Sequence, residues 1–305
     1  MSDYFRQNSN LTSFGAERSW VVLSGIEQNI KHKIEKAGTP LKEWGVNIYR
    51  GILTGYNDAF IISQEVKDKL VSASPKNAEI IRPILRGRDI RRYKIDFAHL
   101  YLLEIHNGLK ASGIKRIDVI NNYPTVYEHL KRFLPQIESR ADQGDHWTNL
   151  RNCAYLRDFD KPKIIYPGLM RLARNNREDF PRFYLDESNT HRFTNDTYFM
   201  IGGHLKYLLG LLNSKLYRFL FPYYIYSFDS DGFKVFTEYF EKIPFADTSK
   251  VERESFEDIV TRILAAKQNN VNSQILENKL NEIIFNLYGL DSEEIAYVNK
   301  RISGI

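Results

Sequence analysis

The chain has 305 residues, 43% hydrophobic and 27% charged, and its 43 Lys and Arg against 38 Asp and Glu leave a net charge of +5. That balance fills one large domain or two modest ones and excludes wholesale disorder. It permits a polyanionic partner without demanding one.

A single cysteine, Cys153, excludes an internal disulfide and suits a reducing cytoplasm. The opening "MSDYFRQNSNLTSFG" lacks the apolar core of a signal peptide. Every apolar stretch is broken by charge before the roughly 18 residues of a membrane span. The expectation is a soluble cytoplasmic protein without a membrane partner.

In chain order, residues 1–43 read as a polar tail and a lead-in helix. Val22, Ile26, Ile30 and Ile34 recur at four-residue spacing, and Gly38-Thr39-Pro40 stops the pattern. Residues 44–248 read as a β-rich body. "GILTGYNDAFIIS", 51–63, looks like a strand, a tight turn and a second strand, a hairpin. Gly51, Thr54, Gly55, Asn57 and Asp58 supply the turn chemistry, and Phe60-Ile61-Ile62 supply the following strand. "PKIIYP", "RFYLD" and "TYFMIGG" are further strands bounded by Pro, Gly or Asn.

"HLKYLLGLLNSKLYRFLFP" interrupts them as one amphipathic helix, with Leu205, Leu208, Leu209, Leu212, Leu216 and Phe219 in a stripe and Pro222 just past its end. Residues 249–305 then turn helical. Phe256, Ile259, Val260, Ile263 and Leu264 make one stripe, and Leu276, Leu280, Ile283 and Leu287 a second that Gly289 closes. Asp291 and Glu294 have capping-box spacing. The fold class is therefore α+β: a β-rich body with an inserted helix, then a helical segment.

Catalytic signatures are missing. No G-x-G and no Walker-type loop is present, and the seven histidines show neither H-x-x-x-H nor Cys/His pairing. "RADQGDHW", 140–147, gathers Asp142, Asp145 and His146, but a plain polar loop is favoured over a cation site. Cys153 carries no nucleophile signature and reads as a small buried hydrophobe.

What stands out is charge. "IRPILRGRDIRRYK", 81–94, holds Arg82, Arg86, Arg88, Arg91, Arg92 and Lys94 with only Asp89 opposing them. Arginine forks suit phosphate and the guanine O6/N7 edge. Arg171, Arg174 and Arg177 follow at three-residue spacing, with Lys115-Arg116 and Lys131-Arg132 as smaller groups. Tyr223, Tyr224, Tyr226 and Phe228 interleave aromatics with this charge, a pattern of single-strand readers, although a core role is favoured.

"GILTGYNDAFII" with "IRPILRGRDIRRY" resembles the paired signature of the TaqI-like target recognition domain of type IIG restriction-modification enzymes and related adenine-N6 DNA methyltransferases. The likeness continues in order through "HWTNLRNCAY", "FDKPKIIYP", "YLLGLLNSKLYRFLF" and "IPFADTSKVERESFEDIVTRILAAK". It closes in "LENKLNEIIFNLYGLDSEEIAYV", where Asn281 stands in place of the more usual Asp.

The resemblance implies sequence-specific reading of double-stranded DNA beside a methyltransferase. Arg86, Arg88, Arg91, Arg92, Lys94, Arg171 and Arg174 are the candidate DNA contacts, and Gly51, Thr54, Gly55, Asn57 and Asp58 form the motif turn. It implies no catalytic residue, metal or cofactor in this chain. S-adenosylmethionine, and Mg2+ where a nuclease is present, belong to a parent or partner. The family's upstream methyltransferase motifs have no counterpart here, so the expectation is an excised domain, a truncated gene product or a separate subunit. The alternative is a protein-interaction subunit that docks a methylase in trans through residues 250–305 and binds DNA weakly alone.

Overall fold

The computed structural model describes residues 23–172, 179–229 and 231–304. In chain order its main helices are α1 (Gly25–Ala37), α2 (Gln64–Ala73), α3 (Pro124–Lys131), α4 (Leu205–Leu212), α5 (Lys215–Tyr224), α6 (Lys250–Gln268), α7 (Gln274–Leu287) and α8 (Ser292–Gly304). The strands of the first half are β1 (Gly38–Pro40), β2 (Asn47–Arg50), β3 (Ile61–Ser63), β4 (Ile81–Leu85), β5 (Ile90–Arg91), β6 (Lys94–Ile95) and β7 (Leu100–Leu103). Those of the second half are β8 (Lys163–Pro167), β9 (Leu169–Arg171), β10 (Tyr184–Asp186), β11 (Arg192–Phe193), β12 (Thr197–Ile201), β13 (Tyr226–Phe228), β14 (Gly232–Lys234) and β15 (Pro244–Ala246). The class is α+β, as the sequence pattern requires.

Two compact units form, and neither is a continuous stretch. The first comprises Met1–Gly45, Met170–Pro181 and Lys206–Ile305; the second comprises Val46–Leu169 and Arg182–Leu205. This differs from the linear division 1–43, 44–248 and 249–305. α1, the leucine-rich helices and the C-terminal helices share one core, so chain neighbourhood does not define the units.

The second unit holds two four-stranded sheets, ordered β10-β8-β12-β2 and β11-β4-β7-β3. β8 lies between two antiparallel neighbours and is buried along its whole length, which explains its nearly unbroken apolar sequence. One core gathers Phe60, Ile84, Leu102, Leu103, Val126 and Leu130. A second gathers Phe159, Ile165, Phe193 and Phe199, with ring centroids 4.5–5.8 Å apart, in the offset and tilted geometries that aromatic quadrupoles favour.

The expected hairpin at 51–63 is not one. β2 joins the sheet of β12, whereas β3 joins the sheet of β7, and a one-turn helix, Asn57–Phe60, lies between them. The segment crosses from one sheet to the other. Local turn residues signal a reversal of direction, but they do not specify which partner the next strand finds.

In the first unit, α1 is closed by the Ser24–Glu27 capping box and buries Ile30 and Ile34 completely. The single helix expected from 204 to 222 is two. Asn213 ends the first, and Ser214 caps α5 by accepting from Tyr217 N at 3.2 Å. Pro222 sits inside α5, in its last turn, rather than past the end. The predicted leucine stripe is buried throughout.

α6 starts at a Ser249–Glu252 capping box, and α8 at the reciprocal Asp291–Glu294 pair, in which Asp291 Oδ1 accepts from Glu294 N at 2.9 Å and Glu294 Oε2 accepts from Asp291 N at 3.0 Å. On α7 the buried face is rotated from the one expected. Leu280, Ile284 and Phe285 are buried, while Leu276, Ile283 and Leu287 are only half-buried. Glu277 and Asn281 take part of the inner face, because Glu277 pairs with Lys267 at 2.9 Å and Asn281 accepts from Lys215 N at 2.8 Å.

Candidate functional site

The arginine-rich segment leaves β4 at Leu85, makes one 3-10 turn over Gly87–Asp89 and folds into the β5–β6 ribbon, which turns at Tyr93 with φ +64°. Arg86 is inward work. Its backbone N and its Nε both donate to Asp89 Oδ2 at 2.9 Å, and Nη2 donates to Oδ1 at 2.7 Å. Asp89 is buried. This hydrogen-bonded carboxylate raises the Arg86 pKa further. Gly87 N completes the turn by donating to Asp196 Oδ2 at 3.3 Å.

The remaining cations are graded by how far they are committed. Arg91 Nε donates to Asp96 at 2.8 Å and its Nη1 to the Arg88 carbonyl at 3.0 Å. Lys94 Nζ stands 3.8 Å from Asp96. The Arg92 guanidinium lies 5.0 Å from the Tyr93 ring centroid. Arg88 is exposed, and its side chain has no hydrogen bond or ion pair among the described residues. From 86 to 96, five cations face Asp89 and Asp96, an excess of three positive charges.

Arg171, on β9, is held by Asp231 at 2.7 Å and Asp229 at 3.2 Å, so two carboxylates answer its charge. Arg174 lies outside the described residues, as does Arg177. Tyr223 and Tyr224 donate their hydroxyls to Glu27 at 2.8 Å and Glu35 at 3.1 Å, whereas Tyr226 is 49% exposed.

The motif turn is built against its own unit. Gly51 N donates to the Thr197 carbonyl at 2.8 Å, and a Cβ on Gly51 would fall 2.2 Å from the Thr194 carbonyl oxygen. No side chain fits there. Gly55 has φ +72°, and the Cβ it lacks would meet Arg140 Cδ at 2.8 Å. Thr54 is buried and donates to Asn57 Oδ1 at 2.6 Å. Asp58 is exposed on the first turn of the short helix. In "RADQGDHW", Arg140 is buried against the Phe60 ring at 4.3 Å, and burial pulls its pKa down to about 10. Asp142 pairs with Arg151 at 2.9 Å, and His146 Nδ1 lies 2.8 Å from Thr148 Oγ1.

Sequence reasoning missed two buried charge clusters in this unit. Arg192 is clamped on Glu104, with Nη2–Oε2 at 3.1 Å, and reaches Asp160 at 2.9 Å. Lys163 meets Asp186 at 3.2 Å, and Ser188 and His191 also bond that carboxylate. Burial would raise the Asp186 pKa, but the His191 hydrogen bond and the Lys163 charge carry it well below the carboxylate range. Lone charges inside "KPKIIYP" and "HRFT" carry no local sign of these partners.

A mixed α+β module with a basic ribbon is the architecture that results. The profile described as the TaqI-like C-terminal specificity domain matches residues 82–245, and the chain belongs to that family. No curated protein matches the sequence. Among solved structures, the type IIL restriction-modification enzyme MmeI in complex with DNA is similar with a TM-score of 0.63 at 13% identity, over 88% of this chain and 37% of that one. The type IIG restriction endonuclease BpuSI is similar with a TM-score of 0.50 at 13% identity, over 86% of this chain and 32% of that one. At that identity the likeness is one of fold, and the chain spans about a third of each of those enzymes. No described helix is long and apolar enough to cross a membrane.

Proposed function

We propose that the chain is a sequence-recognition module for double-stranded DNA, acting in the cytoplasm within a type II restriction-modification system. The observation that carries this reading is the excess of three positive charges on the 86–96 ribbon of a specificity-domain family member, with Arg88 exposed and uncommitted. Arg88 is the leading contact to a phosphate or to the guanine O6/N7 edge, with Arg92, Lys94 and Arg91 beside it. Arg86 shapes the turn that presents them.

Phosphate contacts supply most of the affinity, and a few residues supply specificity. Catalysis lies elsewhere: the module positions an adenine-N6 methyltransferase that uses S-adenosylmethionine, in cis or in trans, with Mg2+ where a nuclease is also joined. Selection from a randomised duplex pool at low and near-physiological salt tests this. A few fixed base pairs surviving the higher salt are expected; enrichment of nothing, with binding lost as salt rises, overturns autonomous recognition.

A further inference from the structure

The net charge of the chain sits wholly on one of its units. The second unit carries 22 Lys and Arg against 17 Asp and Glu, whereas the first carries 21 of each. The 86–96 ribbon accounts for three of the surplus charges. Three further cations, Lys110, Lys115 and Arg116, fall within 105–117, a stretch that contains no carboxylate. Asp118 follows it but caps the next helical turn, accepting from Asn121 N at 3.2 Å and from Asn121 Nδ2 at 2.6 Å.

This stretch is a built finger. Beyond β7 the chain runs out to a tip at Lys110–Gly113 and returns. Leu109 and Ile114 close the tip by exchanging two backbone hydrogen bonds, at 2.9 and 3.1 Å. Gly113 makes the turn at φ +68°. A Cβ on Gly108 would lie 2.7 Å from the Ile114 carbonyl oxygen, so the two legs press backbone on backbone. At the root, the fully buried Asn149 spans both legs, its Nδ2 donating to the His106 carbonyl at 3.3 Å and to the Ile117 carbonyl at 2.9 Å.

The tip buries nothing, since residues 110–113 are all exposed, as are Lys115 and Arg116. Arg116 is tied back, donating to Asn149 Oδ1 at 3.3 Å. Lys110 and Lys115 make no side-chain hydrogen bond or ion pair among the described residues. A rigid frame thus presents two ammonium groups that nothing inside the molecule answers, and an anion outside it is their electrostatic complement.

We propose that the 105–117 finger is a second grip on the DNA backbone, with Lys110 and Lys115 each binding a phosphate. The proposal rests on the duplex reading of the same unit and adds where the second contact lies. A lysine ammonium is a point charge that suits phosphate oxygens and lacks the fork that reads a base edge. The finger therefore supplies affinity and register rather than sequence. Position agrees. The ribbon leaves β4 at Leu85, and the finger leaves β7 past Leu103, which pairs with Ile81 at the far end of β4. Four residue steps separate the two roots, about 14 Å at about 3.4 Å per residue. That equals about four base-pair steps of one DNA strand, so one ladder offers cations at both of its ends to one duplex.

The test is fluorescence anisotropy of a labelled duplex of about 20 base pairs, titrated with the full chain between about 50 and 200 mM salt. Both lysines are exposed, so K110A/K115A should keep the wild-type melting profile. It should bind at least about tenfold more weakly, and its slope of log K against log salt should fall by about 1.8, for two phosphates at about 0.9 each. K110R/K115R keeps both charges and should bind as the wild type does. If K110A/K115A matches the wild type while R88A loses slope, the finger proposal falls and the ribbon reading stands. If only K110A/K115A loses slope, the finger stands without the ribbon. A wild-type chain that binds no duplex at the lower salt overturns both. Weaker binding at an unchanged slope overturns the finger contact, since the lysines would then act through shape. Labelled polyglutamate of equal charge provides the remaining outcome. Binding as tight as to the duplex, and lost in K110A/K115A, would assign the finger to an acidic protein and overturn the proposal.

Discussion

Lys163 and Asp186 face each other across the β8–β10 ladder, Nζ to Oδ2 at 3.2 Å, and neither side chain has any exposure to solvent. Two charges removed from water hold each other up, and losing one strands the other. D186N leaves the Lys163 ammonium with the Lys161 carbonyl at 2.9 Å as its remaining hydrogen bond. A loss of about 3–5 kcal/mol in urea unfolding is expected. Replacing both residues together, as in K163M/D186L, should recover much of it; a double variant as weak as D186N would show that the charges serve something other than each other.

The same pair sets an acid limit. The Asp186 pKa is depressed in the folded state from an ordinary value of 3.8. A depressed carboxylate contributes stability that is fully present above the unfolded pKa and is lost as pH falls through the folded one. The difference in unfolding free energy between wild type and D186N should therefore hold steady from pH 7 to about 5 and narrow below about pH 4. A difference that widened toward acid would reverse this assignment.

Arg88 and Arg86 should separate cleanly. R88A removes an exposed guanidinium, so melting should be unchanged while duplex binding weakens and the salt slope falls by about 1. R86A instead leaves the buried Asp89 carboxylate without its fork, and a stability loss of about 1–3 kcal/mol is expected. If R88A binds DNA with wild-type affinity and slope, the ribbon is not the interface.

Gly51 admits no side chain. G51A must push the β2 exit away from the Phe193–Thr194 backbone, and a sharp loss of folded protein is expected. G25A is the control: nothing lies within 4 Å of its added Cβ, at the start of α1. A tolerant G51A would mean that the crossing segment yields without cost.

Cys153 should be unreactive. Burial lifts its pKa to about 11, so little thiolate exists at pH 8. Thiol-reagent labelling should be slow in the native protein and fast in denaturant. Rapid native labelling would place the sulfur in a different environment.

The start of α8 was legible in the sequence, because a cap is a local contract and Asp291 and Glu294 meet within one turn; the equally local Ser24–Glu27 and Ser249–Glu252 boxes went unread. The leucine stripe from Leu205 to Phe219 was equally plain, but the break at Asn213-Ser214 and the run of α5 past Pro222 were hidden in it. Strand partnership was not legible at 51–63, since the backbone that Gly51 approaches lies some 140 residues away at Phe193–Thr194. The basic segment was visible as composition. Which of its arginines are consumed internally depended on Asp89 and Asp96, whose geometry no spacing rule conveys. Lys163 gave least warning, a lone cation at the head of a strand that is buried along its whole length.

The second unit is written in two instalments, Val46–Leu169 and Arg182–Leu205, with Met170–Pro181 belonging to the other unit between them. A graft of this unit is thus a two-piece transplant. Exchanging either instalment alone would mate β12 of one protein with β2 and β8 of another, in a sheet whose inner side chains were never matched. Chimeras that carry both instalments together, with the recipient's own 170–181 link retained, keep every strand of that sheet from one parent. The same punctuation that makes the module awkward to shuffle protects it from being altered by a single crossover.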